Sequence, residues 1–237
     1  MSDLVLSLFP GLGLLDRAFE AAGFCVVRGP DLLWGGDVHS FHPPMDRFEG
    51  IIGGPPCQVH SDLAQFGTTR AVDLTGEFLR CVDEAWPDWF LMENVEAGPS
   101  VVHDSYAITE TVLDNRWFGG EQRRRRRFHF GVYTGDGWRP AVDLQRYLDV
   151  ALFEAQETAP TVTSAHAGNG TGKVKMHRYS LEEAARLQGL PDSWLKIVPF
   201  RRQEMLKAVA NGVPAPLGKA IAQAILAARL GAAGGGR

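Results

Sequence analysis

Three kinds of side chain in this chain stand where they can do chemistry. Cys57 lies in GGPPCQVHSD at 53–62, directly after the apolar stretch FEGII. Two prolines stiffen the backbone before it and Gln58 follows, so the thiol is presented at a loop and not among apolar neighbours, as suits a nucleophile. A phosphate-cradling cysteine needs an arginine shortly downstream; Leu63 occupies that region and the first arginine is Arg70. Glu93 closes the apolar run DWFLMEN at 88–94. A carboxyl group there is desolvated and its pKa raised, which fits it to give a proton near neutral pH; a helix cap or a salt bridge to an arginine is the alternative. The run Arg123 to Arg127 enters the stretch FHFGVY. Strand alternation puts Arg124 and Arg126 on one face, where guanidinium groups can offset charge that builds up in a reaction.

These groups need a scaffold that brings residues 57, 93 and 126 together. LVLSLF at 4–9, PGLG and LLDRAFEAAGF read as strand, glycine turn and helix. FCVV at 24–27, FEGII at 48–52 and DWFLMEN at 88–94 read as further strands, with GEFLRCVDEAW at 76–86 as a helix before the last. The alternation predicts an α/β fold, a mainly parallel sheet with helices on both faces, whose strands collect ligands at their carboxyl ends. RRFHFGVY reads as one more strand. SLEEAARLQGL at 180–190 opens with a capping box of Ser180 and Glu183, and a long apolar helix spans 215–230. Residues 134–175 are glycine-rich and polar and read as loops or a small lobe, and 231–237 as a flexible tail.

The 237 residues carry 45% hydrophobic and 22% charged side chains, an ordinary globular composition that argues against a mostly disordered chain. A net charge of -4 does not announce a nucleic-acid partner, yet EQRRRRRFHF is a basic patch that the average hides. Three cysteines without a CxxC pair suggest neither a disulfide framework nor a zinc site, and no metal is expected. No apolar run reaches the roughly 20 residues of a membrane helix, so a soluble cytoplasmic chain, and a monomer, is the expectation.

In Gly11 and Gly13 the turn FPGLGLLD has what a backbone needs to approach a ligand at a helix N-terminus, as in nucleotide-binding turns; tight packing is the plainer use. Asp37, in GGDV, can accept from an adenine amino group or ribose hydroxyls, or stand as a solvated turn residue.

With these residues in order, the chain resembles the DNA (cytosine-5)-methyltransferases over nearly its whole length. LFPGLGLLDRAFEAAGF is similar to their opening methyl-donor motif, GGPPCQVHS to the Pro-Cys motif, ENV at 93–95 to the Glu-Asn-Val motif, and QRRRR at 122–126 to Gln-x-Arg-x-Arg. SLEEAARLQGLPDSW is similar to the late helix motif and ANGVP at 210–214 to the final Gly-Asn-x-Val-Pro motif. The resemblance implies a Rossmann-like fold and transfer of a methyl group from S-adenosylmethionine to carbon 5 of cytosine in double-stranded DNA. It implies that Cys57 attacks carbon 6 of a flipped-out base, that Glu93 engages ring nitrogen 3, and that Arg126, with Arg124 beside it, holds the 2-keto oxygen. The donor then lies along Phe9, Gly11, Leu12, Gly13, Asp37, Val38 and Pro56, with Asn211 and Val213 closing the pocket. Gln58 to about Asp73 reads as the loop that closes over the base, and Gln58, Ser61 and Gln122 as DNA contacts.

Some positions depart from the pattern. Ser7 stands where an aspartate is usual, Leu14 where a second glycine is, and Ala210 where the glycine of Gly-Asn is. No helix fits between FCVV and GGDV and no glutamate stands at the ribose position, for which Asp31 is the substitute. A catalytic part at 1–133, completed by helices at 176–230, leaves only 134–175 to recognise a target, with Lys173, Lys175, His177 and Arg178 as candidate contacts. So small a reader suggests a short target or a partner, and a compact enzyme of prokaryotic or phage-infected cells. A transfer-RNA cytosine methyltransferase, a non-catalytic DNA-binding relative and an altered donor chemistry stay open.

Overall fold

The first strand, β1 (Leu4–Leu8), turns Val5 to one face of a sheet and Leu6 and Leu8 to the other. After it come α1 (Leu14–Ala22), β2 (Cys25–Arg28), β3 (Gly50–Gly53), α2 (Thr75–Ala85), β4 (Trp89–Val95), β5 (Tyr106–Asp114), β6 (Arg125–Tyr133), α3 (Leu181–Leu187), α4 (Arg202–Asn211) and α5 (Ala215–Gly234). This computed structural model describes residues 3–56, 73–135, 144–148, 159, 161–162, 179–196 and 200–234.

The strands form one sheet in the order β2-β1-β3-β4-β6-β5. β2, β1, β3 and β4 are parallel, whereas β6 runs antiparallel to β4 and β5 antiparallel to β6. The chain leaves β1 first for β2 on one side and then for β3 on the other, the topological switch beside which α/β sheets bind ligands. Because β6 is reversed, its amino end meets the carboxyl ends of β1, β3 and β4 at that same edge. This brings the arginine run to the end of β4, with Val95 opposite Arg126 and Glu93 opposite Phe128.

Both faces are covered. Val5, Ile52, Leu91, Phe128 and Phe130 pack against Phe19 of α1 and Leu217, Ile221 and Ile225 of α5. Leu6, Ile51, Phe90 and Met92 on the opposite face meet Phe78, Cys81 and Val82 of α2. Each such fully buried side chain contributes about 1.5–3 kcal/mol of transfer free energy. α3 and α4 join Leu12 and Leu14 in a third cluster, so the C-terminal helices close over the glycine turn.

The sequence reading differs from the structure in two places. β5 was given no element, because Thr109, Glu110 and Thr111 interrupt its apolar pattern; its pairing with β6 supplies what local propensity lacks. α5 continues to Gly234, so most of the expected flexible tail at 231–237 is helical. The connection after β2 is two short 3-10 turns, Leu32–Trp34 and Val38–Ser40, each capped by the side chain of the aspartate before it. The capping box at Ser180 and Glu183 is present.

Candidate active site

β1 ends in a run of unusual backbone. Phe9 has φ 54, Gly11 φ 53 and Gly13 φ 74. A positive φ is costly for phenylalanine and cheap for glycine, and the 2.7 Å bond from Gly13 N–H to Pro10 O closes the turn. A side chain at Gly11 would point into open space. Gly11 borders a cavity of about 330 Å³ together with Ser7, Phe9, Leu12, Asp16, Asp31, Leu33, Gly53, Gly54, Pro56, Glu93, Asn211 and Val213. Its size falls within the range of pockets for ligands of nucleoside dimensions, and a backbone cradle stands at its floor. Phe9, Gly11, Leu12, Pro56, Asn211 and Val213, all expected at the donor, thus border one cavity; Gly13 forms the start of α1 behind it.

Asp31 also borders the cavity, and it braces the turn. Its Oδ2 accepts the Gly11 N–H at 2.7 Å and its Oδ1 the Leu33 N–H at 2.8 Å. Trp34 completes the brace by donating its indole N–H to Gly11 O at 2.7 Å. Each carboxylate oxygen keeps a further lone-pair direction. Asp37 and Val38 do not border the cavity. Asp37 is exposed and accepts from the His39 N–H and ring, which holds its carboxyl below the usual range, and Val38 is buried against the α2 face. The structure therefore does not bring these two to the other donor residues.

At the far side of the cavity Glu93 Oε1 accepts from Arg126 Nε at 2.8 Å, a pair almost wholly shut from solvent. Burial raises the Glu93 pKa, while Arg126 and Arg124 pull the other way. Gly54 closes over this carboxyl: a Cβ there would lie 2.7 Å from Glu93 Oε2. Pro56, bordering the cavity one residue before Cys57, is tied through its carbonyl to Leu74 N–H at 3.1 Å, just ahead of α2. Cys57, Gln58 and Ser61 lie outside the described residues, as do Lys173, Lys175 and Arg178.

Two expectations are corrected. Arg124 does not stand free beside Arg126 to meet a base. It is fully buried and donates to the carbonyls of Val162 at 2.9 Å, Ala210 at 2.6 Å and Gly212 at 3.0 Å. Gln122, expected at DNA, is also fully buried; its amide donates to Leu187 O and Gln188 Oε1 and accepts from Val162 N–H. Arg124 holds the arginine strand to the final motif, Gln122 holds it to the end of α3, and both hold it to the chain at Val162. The sequence reading passed over Gly54, Asp16, Leu33 and the α4 residues Glu204 and Lys207, which border the cavity too. Only for α4 was a signal present, the three- and four-residue spacing of 204, 207, 208 and 211. Among the described residues no group of His, Cys, Asp and Glu is arranged to hold a metal ion, and no helix is long and apolar enough to cross a membrane.

The family profile of C-5 cytosine-specific DNA methylases matches residues 36–98 and 132–227, more than half of the chain. The chain belongs to this family. Among curated methylases, the Type II methyltransferase M.NgoPII of Neisseria gonorrhoeae is 28% identical over 163 residues, covering 54% of this chain and 47% of its own. M.HgiDI of Herpetosiphon aurantiacus is 32% identical over 163 residues, 55% of this chain and 52% of its own. This methylase chain thus spans about half the length of both. Among solved structures, the S. pombe Dnmt2 methyltransferase superposes with a TM-score of 0.62 at 13% identity, covering 96% of this chain and 98% of its own. The Entamoeba histolytica methyltransferase EhMeth gives 0.62 at 11%, covering 98% and 99%. At such identities these likenesses show the fold, an α/β methyltransferase sheet, and not the substrate.

Proposed function

We propose that this chain methylates carbon 5 of cytosine in double-stranded DNA, with S-adenosylmethionine as donor and Cys57 as nucleophile. One observation carries the reading: the glycine turn at the end of β1 and Glu93 near the end of β4, whose carboxylate is paired with Arg126 of β6, border a single cavity. A methyl donor on the turn and a base at Glu93 would therefore share one space. The donor, when bound, supplies an electrophilic methyl group.

The residues of the chain do the rest. Gly11 and Leu12 leave the backbone open to the donor, and Asn211 and Val213 cover it from the last motif. Cys57, held after Pro55 and Pro56, attacks carbon 6 of the cytosine as a thiolate, since the thiolate is the reactive form. Glu93, whose pKa is raised by burial, hydrogen-bonds or protonates ring nitrogen 3 and so draws in the charge that the attack creates. Arg126, fixed by Glu93, faces the 2-keto oxygen. Carbon 5 then takes the methyl group, loses its proton, and the cysteine leaves by β-elimination. Carbon 6 is out of reach in a stacked duplex, so the base must be flipped into the site. Target recognition falls to residues 134–175, and the small size of that region fits a short target.

The test is transfer of labelled methyl from S-adenosylmethionine to mixed-sequence duplex DNA, with transfer RNA as competitor. The wild-type chain labels cytosine in the duplex and Cys57→Ala labels nothing. A duplex carrying 5-fluorocytosine traps the wild-type chain covalently. Label on transfer RNA alone, or labelling by Cys57→Ala, refutes the proposal.

A further inference from the structure

Asn94 Nδ2 and His129 Nδ1 are buried polar atoms with no hydrogen-bond partner among the described residues. Asn94 is 3% exposed and His129 is wholly buried. Groups shut in like this are rarely left unpaired, so each needs an account. The register of the sheet brings the two together. Met92 of β4 stands opposite His129 of β6, and Asn94 opposite Arg127, so Asn94 and His129 are diagonal neighbours on the face that α2 covers.

What one atom lacks the other supplies. His129 Nε2 lies 3.1 Å from Glu110 Oε2 on β5. Against the pull of burial, Ser100 and Arg127 hold the Glu110 carboxyl below its usual range, so it is a carboxylate that can only accept. The proton of the neutral ring therefore sits on Nε2, and Nδ1 keeps a lone pair. The two nitrogens of an imidazole face nearly opposite ways, so with Nε2 toward β5 the lone pair faces β4. The Asn94 amide has protons to give, and its Oδ1 is already committed to Val95 N–H at 2.7 Å. Side chains on such a diagonal can meet directly or across one water. Among the described residues, the other charged or titratable groups on this face are engaged or neutral. Arg127 donates to Glu110, Ser100 and the Glu96 carbonyl, His103 pairs with Asp83, and the Tyr106 hydroxyl donates to Pro87 O. Tyr133 stacks edge-on with Tyr106, and burial keeps the Cys81 thiol of α2 protonated.

Asn94 follows Glu93 directly, and its oxygen holds the N–H of Val95, the residue opposite Arg126. Gly98 presses on the same amide, since a Cβ there would lie 2.9 Å from Asn94 Cγ. The amide thus clamps the strand end that carries one member of the Glu93–Arg126 pair and faces the other.

We propose that His129 is a positioning residue for Glu93: by accepting from Asn94, it holds the amide in the orientation that sets the end of β4. A protonated ring has an N–H at Nδ1 in place of the lone pair, so acid releases the hold. The inference rests on Glu93 acting in methyl transfer.

Two measurements on the full chain test it. In proton–nitrogen correlation spectra of the free protein, the Asn94 side-chain amide shifts as His129 titrates. In His129→Gln, which keeps a donor for Glu110 and an acceptor for Asn94 but does not titrate, that shift is lost. In methyl transfer to duplex DNA, His129→Leu lowers kcat at neutral pH by about tenfold and leaves KM for S-adenosylmethionine within about twofold. Asn94→Ala does the same, and the double variant loses no more than either. His129→Gln returns kcat to within about threefold of wild type and lacks the part of the acid fall in rate that His129 causes. An Asn94 amide blind to His129, losses that multiply in the double variant, or an acid fall unchanged in His129→Gln overturns the proposal. Wild-type chain that transfers no methyl group refutes the methylation reading and the role given to Glu93; the amide titration is read without substrate and so tells the two failures apart. Where His129→Leu fails to fold, the spectra and the His129→Gln profile decide.

Discussion

Gly54→Ala separates the positioning of Glu93 from the stability of the fold. Gly54 has no left-handed φ, so alanine fits its backbone, and the nearest atom to the new Cβ is Glu93 Oε2 at 2.7 Å. The next atoms of Glu93, Cδ and the backbone O, are 3.9 Å away, so the clash falls on the tip of one side chain. To regain ordinary contact at 3.4 Å the oxygen must retreat by about 0.7 Å. That retreat cannot leave intact a 2.8 Å bond from Arg126 to the other oxygen of the same carboxylate. Displacements on the order of 1 Å at reacting groups cost up to about a hundredfold in rate, or about 2.7 kcal/mol of barrier. The fold has little to lose, because replacing glycine at a compatible position stabilises by about 0.4–1 kcal/mol through the unfolded chain. The expected result is kcat for methyl transfer to duplex DNA down about a hundredfold, KM for S-adenosylmethionine nearly unchanged, and Tm within about 3 °C of wild type. A rate within about threefold of wild type would refute the reasoning, since Glu93 would then not need its place. So would a fall in Tm as large as that of a core truncation.

Other side chains give independent tests. Glu93→Gln keeps shape and removes the ionisable proton; methyl transfer falls at least about a hundredfold while S-adenosylhomocysteine binding persists in calorimetry. Arg124→Met leaves the carbonyls of Val162, Ala210 and Gly212 without their donor and costs about 3–5 kcal/mol in urea unfolding, and Arg124→Lys does not restore it because an ammonium lacks the planar fork; a loss below about 1 kcal/mol contradicts this. Gln122→Ala destabilises by about 1–3 kcal/mol yet leaves the salt dependence of DNA binding unchanged, whereas a phosphate contact would flatten that slope. Burial lowers the His129 pKa below 6.5, against the pull of Glu110, so the folded chain holds the ring neutral. Stability present above pH 6.5 is therefore lost as the pH falls through the lowered value, because the unfolded chain takes up the proton first. His129→Gln removes that part of the slope in thermal melts between pH 7 and 5, and an unchanged slope counts against it.

Much of this site is legible in the sequence because it is built from adjacent residues. A glycine turn between strand and helix, two prolines before a thiol, a glutamate ending an apolar run and a serine three places before a glutamate each act within a few positions of themselves. Arg124 and Gln122 show where that ends. Strand alternation gives the face of Arg124, but its acceptors lie 38 to 88 residues away, and no periodicity announces them. Asp16 reads locally as a carboxylate favoured in the first turn of a helix; only the approach of β1 and β2 shows it bridging Ser7 and Arg28. Gly54 reads as part of a turn, and its bearing on Glu93 depends on the neighbouring strand. β5 is stabilised by its partner more than by its own residues, which is why its polar centre hides it.

The grip of Gln122 and Arg124 on Val162 has a consequence for how such a chain can change. One side chain takes the Val162 N–H and the other its carbonyl, as a neighbouring strand would, and Tyr179 and Ser180 re-enter the scaffold at the buried start of α3. Residues 163–178 thus begin and end at anchored points on the frame that carries Glu93 and Arg126. Under the proposed function part of the target-recognising region lies in that stretch, so exchanging it would leave the anchors, and with them the Glu93–Arg126 pair, in place.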